Sequence, residues 1–509
     1  MISAEAERHT DTLMHPSSGR HSEAHARARA LADTPGDSVT PDSARSLYAA
    51  LSQQAPDGAT LSAARRYLYA SLQDTAALDT DLPATAAGLE AWIAHNTADV
   101  GRRYQAYLVE RKAGGPRRYF ATRSHALHFL KAVAPTKLVD GAWLYGLMRH
   151  WNDARFSSLQ RIYLEELGSG SPDKNHVVLY KKLLATNGCD KWNELPDVNF
   201  VQGTIQLALA HHADHFLPEV IGFNLGYEQL PLHLLITAYE LNELGIDPYY
   251  FTLHVTVDNA DTGHARTALN GMHEAWPQID DGARFFQRVV DGYKLNMLGA
   301  DTMSVIEGFD LEQELLGILA DKSATGSALH SDYCRVAGRS VNDWLRDPSQ
   351  VPAFVQALQE TGWIKRHQDP ENSRFWKLIQ GERAEMFGVF SPYEQQVMHD
   401  WISGDAAAGA TAASPSLSFK ARQRLRENLA HRGMPSQAAG HSHAPMMPSP
   451  DAAGPSDFDL DLRQLDECLN QLDGRAATMD FLASLISPAQ HHTAVGLKAT
   501  RLFVRMLGC

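Results

Sequence analysis

Hydrophobic and polar positions divide the chain into six stretches. Residues 1–40 hold few large apolar side chains among Ala, Ser, Asp and His, and predict a disordered or weakly structured N-terminus. From 41 to 115 apolar residues recur at helical spacing, as in SARSLYAALSQQ and GLEAWIAHNTADVGRRYQAYLVER. The span 116–310 is apolar and aromatic-rich and predicts the core, which 311–403 continues in helical form. Ala, Gly, Ser and Pro dominate 404–456, a linker around one basic helix-like piece, FKARQRLRENLAHR. Residues 457–509 predict short C-terminal helices. Strand signals are sparse. The alternation in HVTVD is weak, and Asp247-Pro248 ahead of it is a helix start, with Asp247 as cap and Pro248 in the first turn. The expectation is an all-α chain.

Composition narrows the function classes. With 509 residues the chain exceeds one ordinary domain, and 44% hydrophobic residues can bury a sizeable core. A formal charge of −14 argues against nucleic acid or an anionic membrane as partner. No apolar run is long enough to span a bilayer, and the first twenty residues lack the apolar stretch of a secretory signal, so a cytoplasmic location is expected. The 4 cysteines are scattered, which disfavours a thiolate metal site. The 24 histidines point to imidazole and carboxylate as ligands, a set suited to iron, manganese or zinc.

Three segments place such side chains among apolar neighbours, where they are costly unless paired or metal-bound. In YLEELGSGSPDKNHVVLYKKLL, Glu165 and Glu166 precede a Gly-Ser break and His176 follows near the next helix start. In HHADHFLPEVIGFNLGYEQLPLHLL, Glu219 and Glu228 interrupt an apolar helix on opposite faces. In TLHVTVDNADTGHARTAL, His254 and Asp258 share a helix face, with Asp261 and His264 beyond. Taken singly, each has an ordinary reading as a solvated face, a helix-end charge or a buried hydrogen-bonded pair. His211, His212 and His215 read as surface or outer residues. Together the three segments match the ligand set of a carboxylate–histidine iron site in a helical bundle.

EELGSG followed by His176, then YEQLP, then YYFTLHVTVDNADTGHA resembles the heme-oxygenase-like diiron oxidases and oxygenases, the iron-containing redox enzymes. The likeness covers about 134–272, with APTKLVDGAWLYGLMRHWND as a leading element. It implies a heme-oxygenase-like helical bundle with N- and C-terminal helical extensions. It also implies two irons per chain, Fe(II)/Fe(III), held by Glu166, His176, Glu228, His254, Asp258 and His264, with Glu219 and Asp261 as alternates. A regular helix would turn Asp261 toward the face of His254, whereas a break near Gly263 would bring in His264.

The implied activity is that of a non-heme iron oxidoreductase using O2 as co-substrate. The reactions are N-oxygenation, oxidative C–C cleavage or decarboxylation of an amino-acid-derived or fatty-acid-like compound. Arg149 and Arg266 are candidates to meet a substrate carboxylate. The expected partner is a small molecule, with neither nucleic acid nor membrane, and a homodimer is compatible with this. The alternative is a metal-free or heme-binding helical scaffold, or a partner-binding protein, with His176 or His254 as a heme ligand. A fragment ending near Ser403 is expected to retain its iron.

Overall fold

The computed structural model describes residues 43–257, 263–279, 281–327, 330–331, 333–381, 383–404 and 459–508. Among them the chain is all-α apart from one short hairpin, in which Arg335 pairs with Ser340 and Val336 with Arg339. No described helix is long and apolar enough to cross a membrane.

Helix starts follow local chemistry. Asp57, Asn175 and Asp310 each cap a helix by accepting a backbone N–H in its first turn. Ser391 and Glu394 cap Pro392–Ser403 reciprocally. Asp247 Oδ1 accepts from the Tyr249 amide at 3.1 Å, at the start of Tyr249–Val257.

The buried side chains fall into two cores. The first joins Leu47 and Tyr48 of the N-terminal region to Leu159, Ile162, Phe223, Leu269 and, from the C-terminal helices, Met479, Leu482, Ile486 and Phe503. The second joins Phe120, Leu127, Tyr180, Leu184, Ile236, Tyr250 and Phe251 to Ile318, Phe354 and Trp401. The chain crosses between them repeatedly. Leu138 belongs to the second core and Val139 to the first. Helix Ser157–Glu166 packs its apolar side into the first, and helix His176–Asn187 into the second. Helix Leu217–Tyr227 serves the first and Leu232–Glu243 the second. Helix Tyr249–Val257 serves the second and His264–Glu274 the first. Each crossing brings backbone and polar side chains to the seam between two apolar bodies.

The C-terminal helices Gly474–Leu485 and Ala494–Leu507 are therefore part of the first core, not an appendage.

Candidate metal centre

The residues at the seam crossings converge. Asp140, Glu166, His176 and His254 each offer a ligand atom, and these atoms lie within 4.8 Å of one another. Glu166, Glu228 and His264 form a second such group. Glu166 belongs to both.

Each side chain is placed by local structure. Glu166 ends its helix and faces inward. Asp140 follows the apolar Leu138-Val139 and precedes Gly141, whose φ of 78° is left-handed. A Cβ there would stand 2.9 Å from the Glu166 Cβ, so glycine lets the two acids share the site. His176 is the first residue of its helix. Glu228 ends helix Leu217–Tyr227 at its C-cap. Gly263, in extended conformation, precedes helix His264–Glu274, so His264 opens a new helix.

The imidazoles are oriented from behind. His254 donates through Nδ1 to the Tyr250 carbonyl at 2.9 Å, so its Nε2 lone pair faces Asp140 Oδ2 at 3.2 Å. His264 Nε2 donates to Glu165 Oε2 at 2.8 Å, and its Nδ1 faces Glu228 Oε2 at 2.9 Å and Glu166 Oε1 at 3.4 Å. In neutral imidazoles these lone pairs oppose carboxylate lone pairs. A proton or a cation must stand between them. His176 Nδ1 lies against Glu166 Oε2 and 3.6 Å from Asp140 Oδ2, yet has hydrogen-bond geometry with neither. A buried nitrogen aimed at two buried acids fits a ligand atom. Three carboxylates and three imidazoles, with no thiolate, suit iron.

Without a cation, the charges settle among themselves. Burial opposes ionisation of Asp140, but Lys137, His176 and His254 hold it well below the usual carboxylate range. Glu166 is likewise lowered, with His176 outweighing burial. Burial disfavours the His176 imidazolium, but Glu166 and Asp140 raise its pKa to about 10. Burial and Asp140 keep the Tyr250 hydroxyl protonated, and it donates to Asp140 Oδ2 at 2.5 Å.

The structure brings together five of the residues expected from sequence: Glu166, His176, Glu228, His254 and His264. Asp258 and Asp261 lie outside the described residues. Glu219 stands elsewhere. Its two oxygens accept from Arg288 Nε and an Arg288 terminal nitrogen at 2.6 and 2.7 Å. Arg149 pairs with Asp214 at 3.1 Å and Arg266 with Glu90 at 2.7 Å, on exposed surfaces away from the centre. His211 is largely buried against Tyr145, and His212 bonds the Leu61 carbonyl.

Sequence reasoning missed two residues. Asp140 is a lone acid in the apolar run LVDGAW, the same signal that marked Glu228. Glu165 was visible beside Glu166, but its role behind His264 depends on a contact across the fold.

A cavity of about 350 Å³ opens on the centre, lined by Asp140, Glu166, Glu228 and His254 and by apolar residues such as Phe129, Trp143 and Phe251. Lys137 is the one Lys or Arg among its described lining residues.

Residues 127–297 match the iron-containing redox enzyme family. The matched span includes every residue of both ligand groups and the Lys137 wall. With it, the all-α architecture is that of a heme-oxygenase-like fold carrying helical extensions on both sides. The match supports an iron-dependent oxidoreductase. No curated protein and no solved structure matches the chain.

Proposed function

We propose that the protein is a non-heme diiron oxygenase or oxidase acting on a small organic acid. The carrying observation is the pair of carboxylate–histidine groups that share Glu166. Asp140, His176 and His254 would hold one iron, Glu228 and His264 the other, and Glu166 would serve both. When bound, the irons supply O2 activation.

The remaining tasks fall to the chain. Glu165 fixes the His264 ring, and the Tyr250 carbonyl fixes His254, so each ring keeps its other nitrogen aimed inward. The Tyr250 hydroxyl holds Asp140 in place. Phe129, Trp143 and Phe251 give part of the cavity an apolar wall beside the centre. Lys137 Nζ lies 4.0 Å from Asp140 Oδ1 and over the rings of Tyr227 and Tyr250. There it can receive a substrate carboxylate and keep the reacting carbon near the centre. The reactions supported are N-oxygenation, C–C cleavage or decarboxylation of an amino-acid-derived or fatty-acid-like compound.

The test is anaerobic Fe(II) loading followed by iron analysis and oxygen uptake against a panel of amino acids and medium-chain fatty acids. Two irons per chain and substrate-stimulated uptake are expected. Less than about one iron per chain refutes the reading. A Soret band after incubation with hemin, with no Fe(II) retained, would favour a heme scaffold instead. Lys137→Ala should raise KM for the acid with iron content unchanged.

A further inference from the structure

A second cavity, of about 380 Å³, lies behind the first. The two share a wall: Lys137 and Asp140 line the metal-facing cavity, and Leu138 and Val139 the other. The second cavity forms where both extensions meet the core. Arg45 and Tyr48 come from the N-terminal region, Pro488 and His492 from the C-terminal one, and Lys181 from the helix that His176 opens. Arg45, Tyr48, Pro488 and His492 all lie outside the span that matches the family.

Its chemistry is one-sided. Tyr48, Trp192 and Phe200 form an aromatic wall, with Tyr48 edge-on to Phe200 at 5.3 Å and to Trp192 at 6.3 Å. Arg45 and Lys181 are cationic, and no Asp or Glu is among the described lining residues. The nearby Asp197 carboxylate is engaged elsewhere, accepting the backbone amides of Ala44 and Arg45 at 3.1 and 2.8 Å. His492 Nδ1 is buried without a partner. Burial and Lys181 hold that imidazole neutral, so it adds no charge to the cavity. In a chain of formal charge −14, an apolar cleft with two cations and no acid among its described lining residues is suited to receive negative charge.

We infer that this cavity binds a small organic anion with a flat apolar body, an aryl carboxylate in class, at a site separate from the metal centre. The aromatic wall takes the ring, and Arg45 and Lys181 take the carboxylate.

The test is calorimetric titration of the full chain, chelated to remove metal, with 2-naphthoate. Saturable binding is expected. The double variant Arg45→Gln/Lys181→Gln should weaken it by about tenfold or more. Both positions are at the surface, and an unchanged melting temperature verifies the fold. Lys137→Ala, in the other cavity, should leave binding unchanged. The uncharged 2-naphthamide should bind about tenfold more weakly. Absence of binding at millimolar 2-naphthoate overturns the inference. So does equal affinity for the amide, or sensitivity to Lys137→Ala with none to the double variant. Because the chelated protein is used, the result is independent of whether the centre holds two irons.

Discussion

Two crossings of the seam have the same length and different anchors. Glu166 to His176 and His254 to His264 each span ten residues, and each delivers one ligand candidate from either end. The first is built into the protein along its whole course. Gly168, Ser169 and Gly170 are all left-handed, with φ of 61°, 50° and 83°. A side chain on Gly170 would collide with Leu497 O and Arg501 of the C-terminal helix, within 2.5 Å. Asn175 caps the His176 helix, donates to the Leu167 carbonyl at 3.2 Å, and faces His491 Nδ1 at 3.1 Å. Just upstream, the Tyr163 hydroxyl donates to the Ile486 carbonyl at 2.5 Å. Of the second crossing the structure describes the two ends, where the Tyr250 carbonyl holds His254, and Glu165 and Glu228 hold His264. Gly263 supplies no side-chain cap. One half of the centre thus leans on the C-terminal helices, whereas the described anchors of the other half come from residues around the centre.

The largest effect should come from the residue common to both halves. Glu166→Ala is expected to abolish binding of both irons, whereas His264→Ala should leave one. Iron content per chain decides this, and one retained iron in Glu166→Ala would show that the halves are independent. Next, ending the chain after Ser403 removes the contacts to Tyr163, Asn175 and Gly170 and uncovers the first core. It should lose iron and lower the melting temperature, contrary to what the sequence alone leads one to expect. A truncated chain that loads iron like the parent would mean the first crossing holds its own shape.

Asn175→Ala is the milder version. It forfeits a helix cap worth about 1 kcal/mol and should weaken iron binding by roughly tenfold. Asn175→Asp keeps the cap and should recover most of the stability. Within the second crossing, Asp258→Ala should cost iron heavily, and Asp261→Ala at most the loss of an outer hydrogen bond, about 10- to 100-fold in affinity. Loss of iron in Asp261→Ala with His264→Ala unaffected would reverse the roles of the two.

The smallest effect is one of pH, in protein stripped of metal. His176 has its folded pKa raised to about 10, so its contribution to stability is complete below its unfolded pKa of roughly 6.5 and fades as pH rises toward 10. Melting temperature should fall over that window more in the parent than in His176→Gln. Asp140 acts oppositely: its lowered pKa adds stability above the unfolded value of roughly 3.9, lost as pH falls.

Five of the ligand candidates were legible through the order of the three segments, which resembles the family's, and not through any one position: Glu166 follows Glu165, and His176 and His264 stand among polar neighbours. The two groups that join them were not, because grouping depends on which core each helix serves. Asp140 carried the signal of a lone acid in an apolar run, but it sits outside any helix, beside a left-handed glycine, so helical spacing did not tie it to the other ligand candidates. Glu219 and Glu228 read alike in sequence. Arg288, far along the chain, separates them by claiming Glu219. The all-α class was readable from helical spacing and start signals. The embedding of the C-terminal helices was not, since a short amphipathic pattern does not say what its apolar face meets.

The seam between the two cores has a consequence for the protein's lifetime. Ligands from both cores would grip the same ions, so neither core could open without surrendering metal. Bound iron adds its binding free energy to both at once. A replete chain should then unfold as one unit and resist proteolysis, while a starved one stays folded on its two apolar cores alone and is cleaved sooner. Iron supply would set the amount of enzyme as well as its activity.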